Sequence, residues 1–194
     1  MPGHLLWICS AQRDFLPDGA LAIAGADQLG PVLGTLVDDF RRAGNPILHT
    51  VITRSADDPP LEVGEGLVVD GLREGSAGHA EIPEAAHGHG PEIPLRVRSR
   101  RSVRESLDFA HQEVLVEVPG FDPWEHPQLG TVLEVIAPLR VLLCGLPGEL
   151  SVAAAARGLI RHEIPFEVLE EAVRARDPRR WLEAKDELRR MLKF

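Results

Sequence analysis

Five stretches of the chain are apolar almost without interruption, and each has the length of a strand. They are His4–Ser10 (HLLWICS), Asn45–Thr53 (NPILHTVIT), Glu113–Val118 (EVLVEV), Arg140–Leu146 (RVLLCGL) and Pro165–Val173 (PFEVLEEAV). Continuous apolar runs suit strands covered on both faces, as in a parallel sheet. Between them the period changes to that of a helix. Leu29, Val32, Leu33, Leu36, Val37 and Phe40 recur at i, i+3, i+4, i+7, i+8 and i+11, and Gly44 supplies the stop. Residues 127–137 give a shorter helix. Residues 151–162 give an alanine-rich one, whose small side chains permit close packing on a sheet. Trp181, Ala184, Leu188, Met191 and Leu192 mark an amphipathic C-terminal helix, with Asp177-Pro178 as its cap and first turn.

Strand and helix alternate. This predicts one domain over residues 1–194, a three-layer α/β/α fold with a doubly wound, mostly parallel, Rossmann-like sheet. Residues 55–112 break the rhythm with many Gly, Pro, His and charged positions, and read as an irregular excursion rather than core. Within it, Ser102 and Glu105 fit a capping box for a short helix toward Ala110. Ligands in such folds sit beyond the carboxyl ends of the strands. The loops after Ser10, Thr53, Val118 and Leu146 therefore converge where chemistry is expected.

Composition narrows the function classes. The formal net charge is −9, which argues against general nucleic-acid binding because phosphates would be repelled. The local exception, RVRSRRSVR with Arg96, Arg98, Arg100, Arg101 and Arg104, reads as a solvated segment balancing nearby acids, with an anion or acidic-partner site as the sharper alternative. No apolar run approaches a membrane span, and no basic segment followed by a long apolar stretch opens the sequence, so a cytoplasmic protein is expected. Cys9 and Cys144 both fall in apolar runs and read as buried small hydrophobes, not a disulfide or a zinc site.

The convergent loops carry recognisable text. SAQRDFLPDGALAIAGAD, with Gln12, Asp14, Phe15, Gly19, Ala20, Leu21, Gly25 and Ala26, resembles the opening of the isochorismatase-like cysteine hydrolases, a superfamily that includes nicotinamidases and N-carbamoylsarcosine amidase. VLLCGLPGELSV resembles that family's V-V-C-G-x-x-T-D-x-C-V segment, and EVPGFDPWEHPQL more weakly its x-K-P-x-x-S-A-F segment. The resemblance implies a cysteine nucleophile at a helix N-terminus, an aspartate base after the first strand and an assisting lysine after the third. A neighbouring cation and a helix terminus both lower a thiol's pKa, and backbone N–H groups before the cysteine would hold an oxyanion.

The same alignment places Ser10 at the aspartate, Val118 at the lysine and Ser151 at the cysteine. A serine is no base at neutral pH, valine carries no charge, and a serine hydroxyl needs a positioned base to attack. Glu149 and Glu117 are the carboxylates that could rescue Ser151, although strand alternation turns Glu117 away if Val118 faces the site. True isochorismatases dispense with the cysteine but keep the acid and the lysine, which are absent here too. The resemblance thus implies the fold of a hydrolase with a degenerate triad, acting as a binding or assembly/regulatory protein. The alternative is an active hydrolase of small amides, esters or vinyl ethers rewired around Ser151. The implied pocket is lined by Ser10, Asp14, Trp124, Pro147, Gly148 and Ser151.

The resemblance also implies a cis peptide in the turn before the nucleophile, here Leu146-Pro147. Such a bond costs only about 0.5–1 kcal/mol before proline. Nicotinamidases carry a metal after the second strand, but TVITRSADDPP has no D-x-H spacing, and Asp57 and Asp58 read as a turn before Pro59-Pro60. His87 and His89, near His79, could supply two ligands to a soft divalent ion, yet a glycine-rich loop favours an exposed, unliganded pair. No metal and no cofactor are expected. A homo-oligomer, dimer or tetramer, follows from the resemblance.

Overall fold

A computed structural model describes residues 3–63, 68–96, 99–107 and 113–192. The five apolar runs form β1 (His4–Cys9), β2 (Ile47–Ile52), β6 (Glu113–Val118), β7 (Arg140–Gly145) and β8 (Phe166–Val173). With β5 (Glu92–Ile93) they make a six-stranded sheet in the order β5-β6-β2-β1-β7-β8, every pair parallel. A short hairpin, β3 (Leu61–Glu62) with β4 (Val68–Val69), stands apart.

Registered residues of parallel neighbours share a face. Trp7, Cys9, Thr50, Ile52, Val116 and Val118 therefore lie on one face, and Ile8, His49, Glu113 and Glu117 on the other. The helices are α1 (Leu29–Ala43), α2 (Arg100–Ser106), α3 (Leu129–Ile136), α4 (Ala153–Arg161) and α5 (Pro178–Met191). Helix α4 covers the Trp7 face: the Trp124 indole meets Trp7 edge-on at 5.9 Å and donates Nε1–H to Ala155 O at 3.2 Å. Helix α1 covers the opposite face, where Arg41 reaches Glu113.

The helix ends follow the sequence rules. Gly44 stops α1 in the left-handed conformation, φ 68°. Asp177 Oδ1 accepts the Arg179 and Arg180 N–H groups to start α5. Helix α2 departs from expectation. Its cap is Ser99, in extended backbone, whose Oγ accepts Ser102 N–H at 3.1 Å, so Ser102 is the third helical residue and not the cap. Ala110, the expected far end, lies outside the described residues, as does Arg98. Arg101 and Arg104 pair with Glu105 and Glu134 at the surface, in line with a solvated basic segment.

The excursion is less peripheral than its composition implies. Leu72, Ile82, Ala85 and Ile93 are buried, and β5 extends the sheet. Isolated apolar residues among Gly, Pro and charge carry no period, which is why the sequence hides them.

Candidate functional site

The chain leaves β1 for β2 on one side, while β7 returns on the other. Doubly wound sheets place ligands at such a switch in strand order. Gly145 ends β7 with φ 122°, and a Cβ there would lie 2.0 Å from Cys9 O, so only glycine lets the two strand ends meet this closely. Leu146 N–H donates to Cys9 O at 2.8 Å. The Leu146–Pro147 peptide is cis, and a single π-helical turn, Gly148–Val152, delivers the chain into α4. Gly148 meets a close approach: an added Cβ would stand 2.9 Å from Val173 and 3.1 Å from the Trp181 ring.

This geometry brings Ser10 and Ser151 together. Ser10 sits in the left-handed region, φ 49°, anchored by its N–H to Thr50 O at 2.8 Å. Its Oγ donates to Ser151 Oγ at 3.3 Å, and both residues are at most 2% exposed. Val118, on the Trp7 face, is buried as well. Among the described residues Ser10 is the side-chain partner of Ser151 Oγ. Two neutral hydroxyls can donate and accept, but neither removes a proton at neutral pH.

The two carboxylates that could assist Ser151 are committed elsewhere. Glu117 points to the opposite face and accepts Leu95 N–H at 3.1 Å. Glu149 accepts Arg176 N–H at 3.2 Å and Asp177 N–H at 3.0 Å. Burial raises its carboxyl above the ordinary range, against the pull of those N–H groups.

The other expected pocket residues divide. Pro147 and Gly148 belong to the turn that carries Ser151. Asp14 works as a staple: its carboxylate accepts the Leu72 and Ala20 N–H groups and packs on Gly78, where a Cβ would come within 1.9 Å of Oδ1. Trp124 lies along α4 over Gly158, between buried Trp7 and His162, on which it stacks at 4.6 Å. Cys9 and Cys144 are free and buried, and burial pushes both thiols up.

The segment after β2, where nicotinamidases hold a metal, does not fit one here. Thr53 Oγ1 bonds His79 Nε2 at 2.9 Å, and Asp58 closes a turn by accepting Ser55 N–H at 2.7 Å. The Arg73 guanidinium donates to Ser55 O and Asp58 O, and Arg54 is buried beside it, so cations of the protein itself occupy this region. No group of three His, Cys, Asp or Glu among the described residues is arranged to hold a metal.

His87 is not an exposed loop residue. It is half-buried, with its ring 5.5 Å from that of His49 and its N–H donated to Glu81. His89 is exposed. Around His49 lies a polar cluster of Glu81, Glu113 and Arg41 that sequence reading missed. The available signal was His49 itself, a polar residue in the middle of a buried strand.

A family model described as the isochorismatase domain matches residues 4–193. Solved structures share the fold. A pyrazinamidase of Pyrococcus horikoshii, in complex with zinc, superposes with a TM-score of 0.74 at 20% identity, covering 98% of this chain and 96% of its own. N-carbamoylsarcosine amidase from Thermoplasma acidophilum gives 0.71 at 20% identity over 96% and 91%. Nicotinamidase from Bacillus subtilis gives 0.71 at 16% identity over 95% and 93%. Among curated proteins none matches significantly. The chain belongs to the isochorismatase domain family.

Proposed function

We propose that this chain is a non-catalytic member of its family, a homo-oligomeric cytoplasmic protein that serves as a binding or assembly and regulatory subunit. One observation carries the reading: Ser10 and Ser151 bond to each other, buried, at the point where the family's acid and thiol would stand. Hydrolysis by a covalent route needs a nucleophile and a base in contact. Here the nearest acids in sequence, Glu117 and Glu149, hold backbone N–H groups instead. A scaffold that keeps the turn but holds neutral hydroxyls suits recognition of an uncharged polar group better than bond cleavage.

The test is turnover by the purified chain against nicotinamide, pyrazinamide, N-carbamoylsarcosine and isochorismate, each beside Ser151→Ala. The expected result is no turnover above background for either protein. Turnover that survives purification and disappears in Ser151→Ala overturns the proposal. Sedimentation velocity at micromolar concentration tests the oligomer, and a monomer sinks that part.

A further inference from the structure

The segment after the hairpin is fastened to the sheet by a compact set of charged groups on the face away from Ser151. His49 Nδ1 bonds Glu81 Oε1 at 2.8 Å, and the other Glu81 oxygen accepts His87 N–H at 2.9 Å. Glu113 receives Arg41 in a two-pronged contact at 2.5 and 2.9 Å and also accepts Gly88 N–H at 2.8 Å. Arg41 reaches on to Ala86 O at 3.1 Å. Strands β2 and β6, helix α1 and residues 81–88 thus meet at one point.

Two atoms in this cluster find no hydrogen-bond partner among the described residues: His49 Nε2 and His87 Nε2, both buried, with Glu113 Oε2 3.7 Å from the first. A buried imidazole nitrogen with no partner is tolerated far better neutral than charged.

The fastened segment also walls the Ser10 loop. Arg13 N–H donates to Ala80 O, Asp14 N–H to Gly78 O and Ile82 N–H to Ala11 O. Gln12 Nε2 donates to His79 O at 2.9 Å. Releasing residues 81–88 therefore loosens the backbone contacts beside the hydroxyl pair.

We propose that the cluster of Arg41, His49, Glu81, His87 and Glu113 is a proton-operated clasp. It is closed while the His87 ring is neutral and opens residues 78–90 away from the sheet when that ring takes a proton. The groups facing His87 are His49 from β2, Glu113 from β6, Arg41 from α1, and Glu81 and Glu92 from its own segment. Burial foremost, and then His49, disfavour the imidazolium, while the three carboxylates favour it. The balance holds the ring's pKa below the ordinary histidine range. The sign follows: a folded-state pKa below the unfolded one gives stability that is full above the unfolded value and drains away as pH falls through the folded one. Acid opens the clasp and base closes it.

Hydrogen exchange of the whole chain, read by mass spectrometry at pH 7.5 and pH 5.0 and corrected for intrinsic rates, tests this. Peptides covering 78–90 should lose about tenfold in protection at the lower pH, while those in β7 and α1 hold theirs. His87→Gln cannot titrate, and its 78–90 protection should be the same at both pH values. Unchanged protection in the natural protein, or an equal loss in His87→Gln, overturns the proposal. Should that variant misfold, the His87 Cε1–H resonance of the natural protein decides. Its midpoint must coincide with the loss of amide protection, and a midpoint at or above the ordinary histidine value refutes the clasp.

Discussion

The side-chain amide of Gln12 takes both polar groups of Ile52: Nε2 donates to Ile52 O at 2.9 Å, and Oε1 accepts Ile52 N–H at 2.8 Å. It is a strand partner made from one side chain, binding the loop after β1 to the end of β2. Gln12→Ala leaves the Ile52 groups buried and unmatched. Urea unfolding should record a loss of about 2–3 kcal/mol. Gln12→Glu should cost more, because a carboxylate would replace the donor facing Ile52 O and His79 O.

Gly158 lies directly under Trp124. A Cβ there would fall 1.8 Å from the indole Nε1. Gly158→Ala must displace the ring and break its bond to Ala155 O, at a cost of about 1–3 kcal/mol, read as a lower urea midpoint with an altered tryptophan emission.

The Arg41–Glu113 pair carries a pH signature. Burial pushes the Glu113 carboxyl up, but the Arg41 guanidinium and the Gly88 N–H together outweigh it and hold the carboxyl below its ordinary range. Stability from this pair is present above the unfolded carboxylate value and is lost as pH falls. Arg41→Met should therefore destabilise by about 1–2 kcal/mol at pH 7, a figure reduced because Arg41 is 36% exposed, and by less at a pH well below the unfolded carboxylate value. Equal losses at both pH values would contradict the assignment.

Restoring the missing groups tests whether the frame still positions them. The variant Ser10→Asp with Val118→Lys and Ser151→Cys places a thiol beside a cation at the start of α4. At pH 7 iodoacetamide should alkylate it at least about tenfold faster than Ser151→Cys alone. Cys9 and Cys144 contribute little background, since both are buried with raised thiol pKa values.

Much of the scaffold was legible because its signals are local. Uninterrupted apolar runs gave the five long strands, a 3.6-residue stripe gave α1, and the Asp-Pro pair gave the start of α5. Strand alternation separated Val118 from Glu117. What stayed hidden depends on distant pairs. Asp14 sits in the matching motif, but its bond to Leu72 N–H and the room that Gly71 and Gly78 leave for its carboxylate come from far along the chain. Trp124 follows the third strand, yet the missing side chain at Gly158 makes the room that seats its ring against α4. Ser102 with Glu105 fits a capping box, but the backbone starts the helix earlier and makes Ser99 the cap. The His49 cluster needs four elements to meet, and no spacing announces that.

Arg174 curls back so that its guanidinium donates to Glu171 O and Val173 O, occupying two backbone acceptors at the end of β8, one of the two edge strands of the sheet. A strand from another copy thus finds those two acceptors already taken, and continuation of the sheet from one copy into the next has to avoid that end of β8.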